Sequence, residues 1–196
     1  MADGYETLLE YWLGELDADG LASPEHQGRW WRSDPELDEE LRSRFGALHA
    51  AVVAHEHDAW LASPHGRLAT VIVLDQLSRN LFRGTPGMYV NDERALAVAR
   101  QSLDVGDHEM LRLHERFFLV MPFMHAESLP DQERCVAEVK VLAELHEALA
   151  RNVEFAIAHR DIVARFGRFP HRNAVLGRPS TAEELAFLAE PGSSFG

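Results

Sequence analysis

The chain has 196 residues, enough for one domain that buries roughly 70% of the surface its unfolded form exposes. Hydrophobic residues make up 46% and charged residues 26%, ordinary values for a globular protein. The net charge of −13 argues against the positive field that non-specific nucleic-acid binding needs, and against docking on anionic lipid.

Helical periodicity runs along the chain. Apolar residues at 5, 8, 9, 12, 13 and 16 predict an amphipathic helix over Tyr5 to Leu16, followed by a loop to Pro24. Asp34 and Pro35 are cap and first residue of the next helix, which reaches about His55 with Leu41, Phe45, Leu48 and Val52 on one face. After Pro64, a helix spans about Gly66 to Phe82. It is almost continuously apolar from Leu68 to Leu74, the mark of a buried central helix. Arg83 to Gly87 is a turn cluster. Further helices are predicted over 91–103, over Asp107 to about Pro122, where the proline should end it, over Pro130 to about Arg151, and over Asn152 to Phe166. Gly167 can close the last of these in a left-handed conformation. Ser180-Thr181-Ala182-Glu183 reads as a capping box that starts a final helix through Leu188. No alternating strand pattern, repeat or linker interrupts the series. The expected fold is a single all-α domain over 1–196, about eight helices packed as antiparallel pairs.

Cys135 is the lone cysteine, so no internal disulfide can form. The first residues, Met1 to Glu6, show neither the basic nor the apolar region of a secretory signal. The longest apolar runs, 68–74 and 117–124, fall far short of the ~20 residues of a spanning helix. These features predict a cytoplasmic protein with no membrane partner. Cys135 lies beside the apolar face of a long helix and reads as an inert thiol.

Four constellations carry the candidate chemistry. Along 74–84, Asp75 and Arg79 are spaced to pair, while Gln76, Asn80 and Arg83 fall on a neighbouring face. They are either an internal hydrogen-bond network or one wall of a polar pocket. Next, Glu115-Arg116-Phe117 leads to Met121-Pro122-Phe123-Met124-His125-Ala126-Glu127. Here Glu127 could orient His125 as a general base. His159 and His171 could approach, but the ligand spacing of a known metal class is missing, so no metal site is expected. The third stretch is the most concentrated: from His159 to Arg178 there are five arginines and one acid, a local charge of +4 in an acidic chain. Arg168, His171, Arg172, Asn173 and Arg178 project from a turn stiffened by Pro170. The arginine fork suits carboxylate or phosphate, supplied either by Asp75, Glu115, Glu127 or Glu184 within the fold, or by a bound anion. Fourth, adjacent Trp30 and Trp31 cannot face one way on a helix, so one ring is core and the other exposed.

Taken together, these motifs resemble the bacterial domain-of-unknown-function 924 family. The likeness rests on Trp30-Trp31 with Asp34, Asp75 to Asn80 with Arg83-Gly84, Glu115 to Phe117, Met121 to Glu127, and Arg165 to Asn173 with Leu176-Gly177-Arg178. It covers about Leu8 to Leu188. The resemblance implies a tetratricopeptide-like helical fold and carries no activity or cofactor with it. Two functions follow as expectations. In one, the helices enclose a polar site in which Arg79, Arg83, Arg116, Arg168, Arg172 and Arg178, with Asp75, Gln76, Asn80, His159 and Asn173, hold a small anionic ligand. His125, Glu127 and His171 would then supply acid–base chemistry. In the other, the domain binds a peptide or protein partner in a groove and the polar motifs serve structure.

Overall fold

The computed structural model describes residues 4–193. The elements among them are helices and turns: α1 (Tyr5–Leu13), α2 (Pro24–Trp30), α3 (Pro35–Val53), α4 (Pro64–Val71), a π-helical segment (Ile72–Leu77), α5 (Ser78–Leu81), α6 (Asp92–Asp104), α7 (Leu113–His125), α8 (Leu129–Leu145), α9 (Ala150–Phe166) and α10 (Ala182–Leu188). The all-helical expectation holds.

α4, the π-helical segment and α5 form one continuous rod at the centre. Leu68, Ala69, Val71, Ile72, Val73, Leu74 and Leu77 have no exposed surface. Four consecutive β-branched residues, Thr70 to Ile72 with Val73, are poor helix formers because their side chains crowd the preceding turn. Burial on every side outweighs that preference. α1, α6 and α7 pack on α4, while α3 packs on the π-helical segment and α5. α8 then packs on α7, and α9 on α8. One enclosed helix thus organises the fold. This packing establishes an all-helical fold and does not by itself identify it as tetratricopeptide-like.

Several boundaries differ from the sequence expectation, each for a physical reason. Gly14 stops α1 with a positive φ of 67°. The expected loop after it ends in a short extra helix, α2, started by Ser23 and Pro24. α7 begins at Leu113, after a turn at Asp107–Glu109. It then runs through Pro122 to His125 instead of ending at the proline. A helix-interior proline costs about 3 kcal/mol. Phe117 to Met124 are all buried, and their packing offsets that cost. Buried Gln132 receives the end of α7 by donating to the carbonyls of Met124 and Ala126. α8 stops at Leu145, where extended His146 caps the next turn through Ala148 N. The final capping box is Thr181 with Glu184, one residue later than the spacing first suggests. Trp30 donates to the Trp12 carbonyl, while Trp31 is 58% exposed, as adjacency required.

Gly66 tests the packing of the rod. A Cβ there would sit 2.0 Å from the Trp60 carbonyl oxygen. Alanine normally favours a helix by up to ~1 kcal/mol over glycine, so the two effects oppose. We expect the clash to win and Gly66→Ala to lower stability by about 1–3 kcal/mol in urea denaturation. An unchanged or raised midpoint would show that the contact can relax.

Candidate functional site

The π-helical segment places Asp75 in the middle of the molecule. π-Helical turns widen a helix locally and recur at functional sites. Asp75 has no exposed surface. Its Oδ1 accepts from His125 Nδ1 at 2.7 Å and lies 3.0 Å from Arg79 Nη1. Its Oδ2 accepts from Gln76 Nε2 at 2.5 Å. Burial alone would raise this carboxyl, but Arg79 and His125 beside it hold it well below the usual range.

Around this carboxylate the chain alternates charge. Asp92, the first residue of α6, takes both terminal nitrogens of Arg79 at 3.0 and 3.1 Å. Its Oδ2 is also 3.3 Å from Arg172 Nη1. Arg172 Nη2 donates at 3.0 Å to the carbonyl of His125, the last residue of α7, where a cation complements the helix end. The Arg172 guanidinium is pressed between Tyr89 and Phe169, 4.6 and 4.5 Å from their ring centres. The His159 ring centre lies 6.5 Å from that of His125, and its Nδ1 bonds the Phe155 carbonyl. The Phe169 ring meets both His159 and His171, at 5.7 and 5.5 Å between ring centres.

A second network clasps this centre from outside. Glu127 accepts from both terminal nitrogens of Arg178 at 2.6 and 2.8 Å and from Phe169 N at 2.8 Å. Asn173 accepts from Arg178 Nε and donates to Ser180 and Glu184. Arg168 grips Glu184 through two bonds. Gly167, with a φ of 70°, turns the chain into this clasp. Ile162, Val163 and Phe169, with Phe166 and Phe187, form a small core distinct from the main one.

The structure therefore brings Asp75, Gln76, Arg79, His125, His159, His171 and Arg172 together, with Glu127, Arg168, Asn173 and Arg178 in the clasp. It leaves three candidates elsewhere. Arg83 pairs with Asp38 at 2.6 and 2.9 Å, joined by Asn80. Arg116 is half-buried in the second turn of α7, outside both networks. Glu115, expected as a partner for the arginines, instead accepts from the Arg112 backbone and lies 3.4 Å from His65. The group that orients His125 is Asp75. Glu127 is taken up by Arg178 and by the Phe169 backbone instead. The sequence reading missed Asp92 and Tyr89. Asp92 looks like any acid in a first helical turn, and Tyr89 like a lone aromatic in a turn; only the fold brings them to Arg172.

Of the arginines proposed as anion holders, Arg79, Arg83, Arg168 and Arg178 are each gripped by a carboxylate through two bonds. Arg172 is not. It is 6% exposed, its carboxylate contact is long, and its Nε has no acceptor among the described residues. Burial and Arg79 make its charge unfavourable. A groove of about 380 Å³ lies elsewhere, along Glu15 to Pro24. Glu15 and Asp17 on its wall make it unsuited to an anion, so chemistry rather than size points to the Arg172 centre.

The bacterial protein of unknown function model DUF924 matches residues 8–192. The chain belongs to this family. A solved structure of a protein of unknown function from Agrobacterium tumefaciens is 36% identical, with a TM-score of 0.74, over 83% of this chain and 89% of that one. No curated protein matches. Family membership thus fixes the fold and leaves the chemistry to the residues.

Burial pushes the histidines down, to about 3 for His159 and, with Arg172 adding to the effect, to about 4 for His171. Both stay neutral in the fold, whereas the unfolded chain takes up protons below the ordinary value of 6.5. Stability should therefore fall as pH drops through that value. These two groups contribute a loss of about 4 kcal/mol between about pH 7.5 and about pH 5. His159→Gln should remove roughly half of that slope in denaturation curves; a slope that His159→Gln leaves intact would contradict the assignment.

Proposed function

We propose that the Asp75–His125–Arg172 centre binds a small anionic ligand in the reducing interior of the cell, where a lone buried Cys135 is at home. The observation that carries this reading is Arg172. A buried donor without an acceptor costs about 1–3 kcal/mol, more for a charged group, and Arg172 Nε is such a donor among the described residues. The rings of Tyr89 and Phe169 fix the plane of its guanidinium, so an oxyanion is met by a preorganised fork. Burial separates this reading from the peptide-binding one. A groove for a partner would expose its residues broadly; here Asp75, Gln76, His159, Arg172 and Asn173 are all buried. The clasp beside this centre has its own small core and is fastened to the body by the Glu127 and Asp92 ion pairs.

The test is thermal denaturation with inorganic phosphate, succinate and phosphorylated metabolites, using sodium chloride at matched ionic strength as control. A binding anion should stabilise saturably, by about 2.7 kcal/mol at roughly 100 times its dissociation constant. Arg172→Lys keeps the charge and loses Nε, and should abolish the effect while preserving the helical circular dichroism. No anion-specific shift, or an equal shift in Arg172→Lys, would refute the reading.

A further inference from the structure

The same centre holds a histidine arranged for proton transfer. Asp75 is ionised and can only accept, so the 2.7 Å contact places the proton of neutral His125 on Nδ1. The lone pair is then on Nε2, at the far side of the ring. Nδ1 lies against a carboxylate with no exposed surface, whereas the His125 side chain keeps 13% of its surface open. Nε2 has no hydrogen bond among the described residues, and it is not one of their fully buried unpartnered atoms, so it keeps part of that open surface. Burial and Arg79 push His125 below its ordinary value, which keeps it in the base form at neutral pH. Arg172 donates to the carbonyl of this same residue, so the unmatched cation and the base are fastened together.

Other ways of attacking a ligand are less well placed. Burial raises the Cys135 thiol to about 12. Ser78 is bonded to His49 and Asn91 with no exposed surface.

We infer that His125 is a general base, that Asp75 is its positioning residue, and that the ligand is a small carboxylate or phosphate bearing a proton that Nε2 removes. This rests on the anion-binding reading of Arg172. In the step, the Nε2 lone pair takes the proton from an O–H, or from a C–H beside a carbonyl, close to the anionic group. The electron pair of the broken bond stays on the ligand as an alkoxide or enolate facing Arg172. His125 becomes an imidazolium held by Asp75, and returns its proton to the ligand to complete the cycle. No electrons are gained or lost overall, so no redox partner is needed.

Iodoacetate tests the arrangement on the full chain at neutral pH. Its carboxylate would take Arg172 while Nε2 displaces iodide from the adjacent carbon. Iodoacetamide has the same reactive carbon and no charge. Peptide mass spectrometry should show His125 carboxymethylated by iodoacetate at least about tenfold faster than iodoacetamide alkylates it, because a charge-assisted contact holds only the anionic reagent. Arg172→Lys should erase that preference. In Asp75→Asn the amide can donate to Nδ1 and turn the lone pair inward. His125 should then slow with both reagents, while exposed His55 reacts as before. Equal rates with the two reagents, or an unmodified His125, would overturn the proposal. If His125 stays unmodified while phosphate still gives an Arg172-dependent thermal shift, the anion site stands and the base falls. If both are absent, both readings fall.

Discussion

A carboxylate with no exposed surface sits at the centre of this molecule, and much of the polar architecture follows from it. Removing a charge from water costs several kcal/mol unless close partners replace the lost hydration. Asp75 receives three: Gln76 from its own turn, Arg79 from the next, and His125 from α7. The last requires α7 to reach His125, so the helix must continue past Pro122. It also requires a firm end at that point, which Gln132 supplies by binding the carbonyls of Met124 and Ala126. The π-helical turn at Ile72–Leu77 is where the polar pair Asp75–Gln76 enters an otherwise apolar rod.

Each partner then needs its own. Arg79 is a second, half-buried charge, balanced by Asp92 as well as Asp75. Asp92 is shared with Arg172, whose Nη2 meets the α7 carbonyl terminus and whose guanidinium lies against two aromatic rings. Glu127 continues the alternation to Arg178, and Glu184 to Arg168. Networks of this kind stiffen a structure when every member is matched and concentrate cost where one is not. Arg172 Nε is one such place among the described residues. The local charge of +4 between His159 and Arg178 is thus largely neutralised by Asp92, Glu127, Glu183 and Glu184, and one cation stays incompletely matched.

Much of this was legible in the residues. The continuous apolar run 68–74 announced the central helix, and the spacing of Asp75 and Arg79 announced their pair. The turn around Pro170 was visible as a cluster of cations needing carboxylates, with Glu127 and Glu184 among the candidates. What escaped was long-range choice. Nothing local says that Asp92 serves the centre and Glu93 does not, or that Arg83 leaves it for Asp38. Proline's bias against helix interiors pointed to a break at Pro122, because the packing that overrides it comes from other helices, α4, α6 and α8, and not from the local sequence. The pairing of His125 with Asp75 rather than Glu127 is a long-range contact across fifty residues, which nearness in sequence does not reveal. Position along the chain located the polar centre, and the fold decided who meets whom inside it.

The chemistry of this centre depends most on Asp75 fixing the proton of His125. Long-range proton–nitrogen correlation NMR on labelled protein at neutral pH reads this directly. The structure predicts a neutral His125 ring, protonated at Nδ1 and bare at Nε2. A ring protonated at Nε2, or an imidazolium, would contradict it.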